Sequence, residues 1–254
     1  MHFRQFLNGE TACASYLFGC KTVGEFAVVD PHVDLVEEYV AAAEAQGARI
    51  VAVLETHVQA DHFSGLPELV ERTGATAYMP AGSGAEFAHQ ALGDGDRVQL
   101  GNTVIDALAT PGHAPVHHSY VVTDHRRGEE PWMVLTGDSL LVGDVGRPDL
   151  HAGGDESAEQ LARALYRSLH ERLLKLPDHL LVYPAHYAGS VCGRGLSGHP
   201  ASSIGFERVH NQALAGASED DFARAVLTDV PPAPERQAEI IAANRSGEPS
   251  AAIA

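Results

Sequence analysis

Basic residues are scarce in this chain. Seventeen Lys and Arg stand against 34 Asp and Glu, a formal net charge of −17 over 254 residues. Binding of nucleic-acid phosphates calls for a basic face, so the balance argues against such a partner. The charge favours solubility and says little about fold. Cysteine is scarcer still. Cys13, Cys20 and Cys192 are odd in number and irregularly spaced, which argues against a disulfide framework or a Cys-only zinc site. No run of about 18 apolar residues occurs, so no membrane span or membrane partner is expected. The opening stretch MHFRQFLNGETACASYLFGC is interrupted by Arg4, Gln5, Asn8 and Glu10. It lacks the basic-then-apolar layout of a secretory signal, and a cytoplasmic location is expected. What is left, 44% hydrophobic and 20% charged, is an ordinary globular composition, long enough for one large domain or two small ones.

Apolar patterning alternates strand and helix. EFAVVDP and RIVAVLETH are short β-branched runs ending in polar residues and read as buried strands. Between them HVDLVEEYVAAAEAQG has helical spacing and a glycine stop at Gly47. SGLPELVERTG reads as a second helix closed by Gly74, and TAYMP as the next strand. GDRVQLGNTVIDALATPGH predicts two hairpin strands and a third ending at His113; HHSYVVTD and PWMVLTGDSL predict two more. SAEQLARALYRSLHERLLKLP is an amphipathic helix with Leu161, Leu165, Leu169 and Leu173 one turn apart, and HLLVYPAH is the last expected strand. No linker, low-complexity tract or short repeat divides the chain, so residues 1–254 read as a single domain. The Pro- then Ala/Ser-rich tail is the part least expected to be ordered over its last ten or so residues.

Histidine, by contrast, is plentiful: fifteen residues. Four segments place candidate ligands just after predicted strands, where α/β proteins commonly carry their chemistry. They are His57-x-Gln59-x-Asp61-His62, TPGHAPVHHSY with His113, LTGDSL with Asp138, and VYPAH with His186. At a strand end residues i and i+2 point the same way, so His57 and residue 59 are expected to face one pocket. Neutral imidazoles and carboxylates suit iron and zinc. Each segment alone is a weak signal; a histidine after TPG is more often a turn residue. The four in this order are specific.

Together they resemble the metallo-β-lactamase superfamily, with its T-H-x-H-x-D-H motif, a later His, a bridging Asp and a final His. The resemblance runs from about residue 10 to 210 and implies an α/β fold, the αββα sandwich of two mixed sheets flanked by helices. GDVGRPDL and VYPAHYAGSVCGRGLSGHPASSIGFER resemble the branch containing persulfide (sulfur) dioxygenases, and most of all the domains fused to rhodanese modules. No rhodanese-length segment follows here, so a sulfurtransferase partner would be a separate chain. The resemblance implies oxidation of a low-molecular-weight thiol persulfide, such as glutathione persulfide, by O2 to sulfite. It also implies one Fe(2+) per chain, and a homodimer.

Carried over, the iron triad is His57, His113 and Asp138, a two-His, one-carboxylate set that leaves positions open for substrate and oxygen. Gln59 stands where two-metal hydrolases place a second histidine. An amide is a poor ligand for a hydrolytic zinc centre, yet the iron triad does not need that residue. Gln59, Asp61, His62 and His186 are expected either to orient the ligands through hydrogen bonds or to form a second metal site. Arg147 is the expected anchor for substrate carboxylates, with Tyr187, Arg194, Cys192 and His117 as further substrate-binding candidates. His32, His89, His125, His151, His170, His179, His199 and His210 are assigned to structure or surface. A zinc (Zn(2+)) thioester hydrolase resembling glyoxalase II, and a non-catalytic metal-binding protein, are the competing readings.

Overall fold

The computed structural model describes residues 1–152, 156–187, 197–215, 218–230, 232–234 and 236–248. Two six-stranded sheets face each other. The first is formed by β1 (His2–Leu7), β2 (Ala14–Cys20), β3 (Glu25–Val29), β4 (Arg49–Leu54), β5 (Thr76–Pro80) and β6 (Gln90–Leu92), in that order. The second contains β7 (Arg97–Leu100), β8 (Thr103–Ala109), β9 (His118–Asp124), β10 (Met133–Gly137), β11 (Leu181–Pro184) and β12 (Ser202–Ser203), also as sequential neighbours. Both sheets are mixed. β3, β4, β5 and β6 pair in parallel, as do β10 and β11, and the other pairings are antiparallel.

The period of two along each strand sorts the side chains between layers. Tyr16, Phe18, Ala27, Val29 and Leu54 of the first sheet meet Leu100, Ile105, Tyr120, Val122 and Leu135 of the second. Leu17, Phe26, Val28 and Val53 point the other way, onto α1 (Val36–Glu44) and α2 (Leu66–Thr73). Val134 and Val182 point outward from the second sheet, onto α3 (Ala158–Arg167) and α5 (Glu219–Val226). The result is the expected αββα sandwich. Two further helices, α4 (Ile204–His210) and α6 (Gln237–Ser246), lie in the C-terminal region. No helix among the described residues is long and apolar enough to cross a membrane.

α3 starts on a capping box in which Ser157 and Gln160 satisfy each other's backbone N–H groups. Its leucine stripe is fully buried at Leu161, Leu165, Leu169 and Leu173. The helical path continues past Arg167 through a π-helical segment, Ser168–Arg172, which keeps Leu169 and Leu173 on the sheet.

Several expectations are corrected. β1 and β2 were not anticipated: β2 is buried on both faces and shows no alternation to read. The third strand expected to end at His113 does not form. Thr110 to Gly112 turn instead, with the Thr110 amide donating to His117 O and the Gly112 amide to Ala114 O. Pro111 brings no donor to a sheet ladder. The C-terminal helices were also missed; their short amphipathic patterns lie among proline and glycine. Of the tail, residues 249–254 lie outside the described residues.

Candidate active site

The four ligand-bearing segments follow β4, β8, β10 and β11 and meet at one edge of the two sheets. Asp30, just after β3, begins the construction. Its backbone is left-handed (φ 51), a conformation that Asp tolerates better than most residues. Its buried carboxylate accepts the Thr56 amide at 2.7 Å and the Thr56 hydroxyl at 3.0 Å. With its proton directed to Asp30, Thr56 Oγ1 accepts from His57 Nδ1 at 2.9 Å. His113 Nδ1 donates to the carbonyl of Arg147 at 2.9 Å. Both rings are thereby held as the tautomer with a free lone pair on Nε2.

Asp138 completes the group. Its amide donates to His117 Nε2 at 3.2 Å, and its Oδ1 accepts from His186 Nδ1 at 2.7 Å. Oδ2 then lies 3.5 Å from His113 Nε2 and 3.9 Å from His57 Nε2. Two glycines make this close approach feasible. A Cβ on Gly146 would strike the Asp138 carbonyl and crowd His113, and one on Gly137 (φ 51) would strike His117 and Thr56.

His57, His113 and Asp138 are 1%, 1% and 0% exposed. Burial, then His113 and His117, holds His57 well below the usual imidazole range, and burial lowers His113. Burial would push Asp138 up, but His186 and then His113 and His57 outweigh it and bring it down. Neutral imidazoles beside an ionised carboxylate are the protonation states a metal requires. Asp138 Oδ2 and His113 Nε2 are sealed from solvent and have no hydrogen-bond partner among the described residues. Orphaned buried acceptors cost about 1–3 kcal/mol each, and a shared cation removes that cost. The residues fit a metal ion.

A third orphan joins them. His151 Nε2 is buried without a partner among the described residues, and the donor atoms of His57, His113 and His151 all lie within 4.8 Å of one another. His151, which the sequence assigns to structure or surface, thus lies beside the ligand set. Burial, with His113 and Arg245 nearby, lowers it to about 3. The only hint in the sequence is its place in the same post-β10 loop as Asp138.

Gln59 is fully buried. Its Nε2 donates to Glu55 Oε2 at 3.2 Å and to Asp30 Oδ1 at 3.3 Å. The amide therefore sits between two buried carboxylates. Burial raises Asp30 to about 6 and, with Asp30's charge, raises Glu55 well above its ordinary value. Asp61, His62 and His186 gather in a second cluster beside the first, joined by Cys13, which the sequence had not suggested. Cys13 Sγ is 3.3 Å from His186 Nε2 and 3.5 Å from His62 Nδ1. Asp61 bridges His62 Nδ1 at 3.0 Å and His186 Nε2 at 2.7 Å. Burial would raise the Cys13 thiol, but the two facing imidazoles bring it to about 7.

The substrate-binding candidates fare differently. Arg147 is 4% exposed, and its guanidinium forms a forked pair with Asp149 at 2.9 and 2.6 Å and donates to Pro232 O. The fork holds the protein's own carboxylate in this structure, and the Arg147 carbonyl orients His113. His117 is likewise engaged by the protein's own groups. Its Nε2 accepts from Asp138, and its Nδ1 meets Thr110 Oγ1 at 2.9 Å and Ser139 Oγ at 3.1 Å. The Tyr187 hydroxyl donates to Asn8 O at 3.4 Å. Cys192 and Arg194 lie outside the described residues.

A groove of about 750 Å³ opens beside His151, lined by Val116, Leu150, Glu156, Ile241 and Arg245 among others. Its far wall is α6, strapped to the ligand loop by Asn244, which donates to Gln59 O and His62 O and accepts from the Ser64 amide. Arg245 was not singled out in the sequence; nothing links it to the ligand motifs but the fold.

An αββα sandwich whose strand ends gather histidines and aspartates over a buried cleft defines a class of metal-dependent enzymes. The chain belongs to the metallo-beta-lactamase superfamily, whose sequence model matches residues 8–186. It is 30% identical over 220 residues to the mitochondrial persulfide dioxygenase ETHE1 of Bos taurus, covering 85% of this chain and 77% of that one. It is 34% identical to a hydroxyacylglutathione hydrolase of Polaromonas, over 68% of this chain and 61% of that one. Among solved structures, a metallo-beta-lactamase from Staphylococcus aureus superposes with a TM-score of 0.90 at 32% identity, over 97% of this chain and 72% of that one. ETHE1 from Myxococcus xanthus superposes with a TM-score of 0.84 at 33% identity, over 97% and 99%.

Proposed function

We propose that the chain is a non-haem iron dioxygenase that oxidises a low-molecular-weight thiol persulfide with O2 to thiol and sulfite. The observation that carries this reading is the convergence of His57 Nε2, His113 Nε2 and Asp138 Oδ2 in a site whose neighbouring position 59 offers no imidazole. A hydrolase of this fold needs a metal-activated hydroxide held by well-ligated zinc; an iron triad does without that residue. Likeness to proteins named persulfide dioxygenase supports the same choice.

His57, His113 and Asp138 would hold the metal and leave coordination positions open. Iron, when bound, supplies the redox chemistry that lets triplet oxygen react with a singlet sulfur, which zinc cannot. The remaining work falls to the protein. The Asp30–Thr56–His57 relay and the Arg147 carbonyl fix the two imidazoles. His186 occupies Asp138 Oδ1 and leaves Oδ2 for the metal. The thiol carrier enters along the groove below α6, where Arg245 pairs with its carboxylate. The overall balance takes a molecule of oxygen and one of water per persulfide and releases thiol, sulfite and protons. In the test, His57→Ala, His113→Ala and Asp138→Ala proteins lose both iron and persulfide-dependent oxygen consumption. Full iron occupancy in any of them breaks the triad.

The second reading, a zinc thioester hydrolase, draws on the Cys13–Asp61–His62–His186 cluster as a second metal position. It predicts thioester cleavage that depends on Asp61 and His62 and needs no oxygen.

A further inference from the structure

We propose that His151 is a direct ligand of the metal held by His57, His113 and Asp138, supplying a third imidazole from the loop after β10. The inference rests on the triad reading above and changes its count: three imidazoles and one carboxylate rather than two and one.

Three observations carry it. The donor atoms of His57, His113 and His151 lie within 4.8 Å of one another. Donors sharing one ion at about 2.1 Å stand roughly 3–4.2 Å apart, so side-chain shifts on the order of an ångström would bring them onto one ion. The ring planes are steeply inclined in every pair: 86° for His57 and His113 at 5.0 Å between centroids, 78° for His57 and His151 at 6.0 Å, and 75° for His113 and His151 at 5.6 Å. Edge-to-face contact is also how aromatic rings ordinarily pack, so these angles are compatible with ligands around one centre without requiring it. Finally, His151 Nε2, His113 Nε2 and Asp138 Oδ2 are all buried without a hydrogen bond among the described residues. His118 Nδ1 and His170 Nε2 are buried without a partner among the described residues as well, but neither stands among other donor atoms as His151 does.

Position 59 does not compete for this place. The Gln59 amide nitrogen is committed to Asp30 and Glu55, and an amide has no imidazole nitrogen to give. His151 also lines the groove beside Arg245, so a metal bound to it would stand at the inner end of that groove. In a six-coordinate ion, four protein donors leave two positions, enough for one sulfur and one oxygen species but no spare water.

The test uses the whole chain, stripped of metal and titrated with Co(2+) against a chelator. Wild type, His57→Ala, His151→Ala and His151→Gln are compared for affinity and for the number of paramagnetically shifted histidine rings. Loss of an outer hydrogen-bond partner already weakens a metal site about 10- to 100-fold; both His151 variants are expected to lose at least that much and to show two shifted rings where wild type shows three. His151→Gln keeps the size and polarity of the side chain, so it decides the matter if the alanine variant does not fold. Wild-type affinity and an unchanged ring count in the His151 variants, with binding lost in His57→Ala, overturn the His151 assignment alone. Co(2+) bound equally well by His57→Ala overturns the triad and this inference together.

Discussion

Replacing Gln59 by glutamate keeps its shape and its carbonyl-like oxygen and exchanges only the NH2 group. That group is what separates Asp30 from Glu55, at 3.3 and 3.2 Å. The variant would bring a third carboxylate into a fully buried pair. Three ionised groups at such distances would repel by about 5 kcal/mol per contact even at an effective dielectric of about 20, so the folded variant takes up a proton instead and restores a donor. The cost is that of protonating a carboxyl with an ordinary value of about 4.3, at about 1.4 kcal/mol per pH unit. It comes to roughly 5 kcal/mol at pH 8 and about 1 kcal/mol at pH 5. Asp30 gives the wild type a weaker trend of the same sign. Its folded value of about 6 lies above the ordinary 3.8, so its contribution is complete below 3.8 and is lost as the pH rises through 6. Denaturant unfolding of metal-free wild type and Gln59→Glu between pH 5 and 8 measures the difference. A penalty below about 1 kcal/mol at pH 8, or one that does not change with pH, refutes the role given to the amide.

Gln59→His adds an imidazole next to His57 and, by the Irving–Williams order, shifts the purified protein from iron toward zinc; unchanged metal content refutes it. Gly146→Ala drives a methyl onto the Asp138 carbonyl and the His113 ring, so melting temperature and metal content fall together; a fully metallated, equally stable variant would refute the close approach. Arg245→Gln raises KM for a carboxylate-bearing persulfide with little change in kcat, as loss of uniform binding requires, and an unchanged KM removes Arg245 from the substrate path.

The sandwich was legible because long strands and helices carry strong periodicity. The stripe from Leu161 to Leu173 and the runs EFAVV and RIVAVL each lie where the pattern puts them. β2 was not, since a strand buried on both sides alternates nothing. The sequence showed Gln59 as an anomaly but not its cause: Asp30 lies 29 residues upstream, and only the parallel pairing of β3 with β4 brings them together. Cys13 and His151 reach their clusters through loops without motif spacing. Arg147 was legible as a carboxylate-binding residue, but not that Asp149, two residues on, is the carboxylate it holds in this structure.

The most direct test of the account is metal analysis of anaerobically purified protein combined with oxygen uptake on addition of glutathione persulfide. One iron per chain, with oxygen consumed and sulfite formed only when persulfide is present, is the predicted result. Two zinc ions per chain, with thioester cleavage and no oxygen uptake, would contradict it.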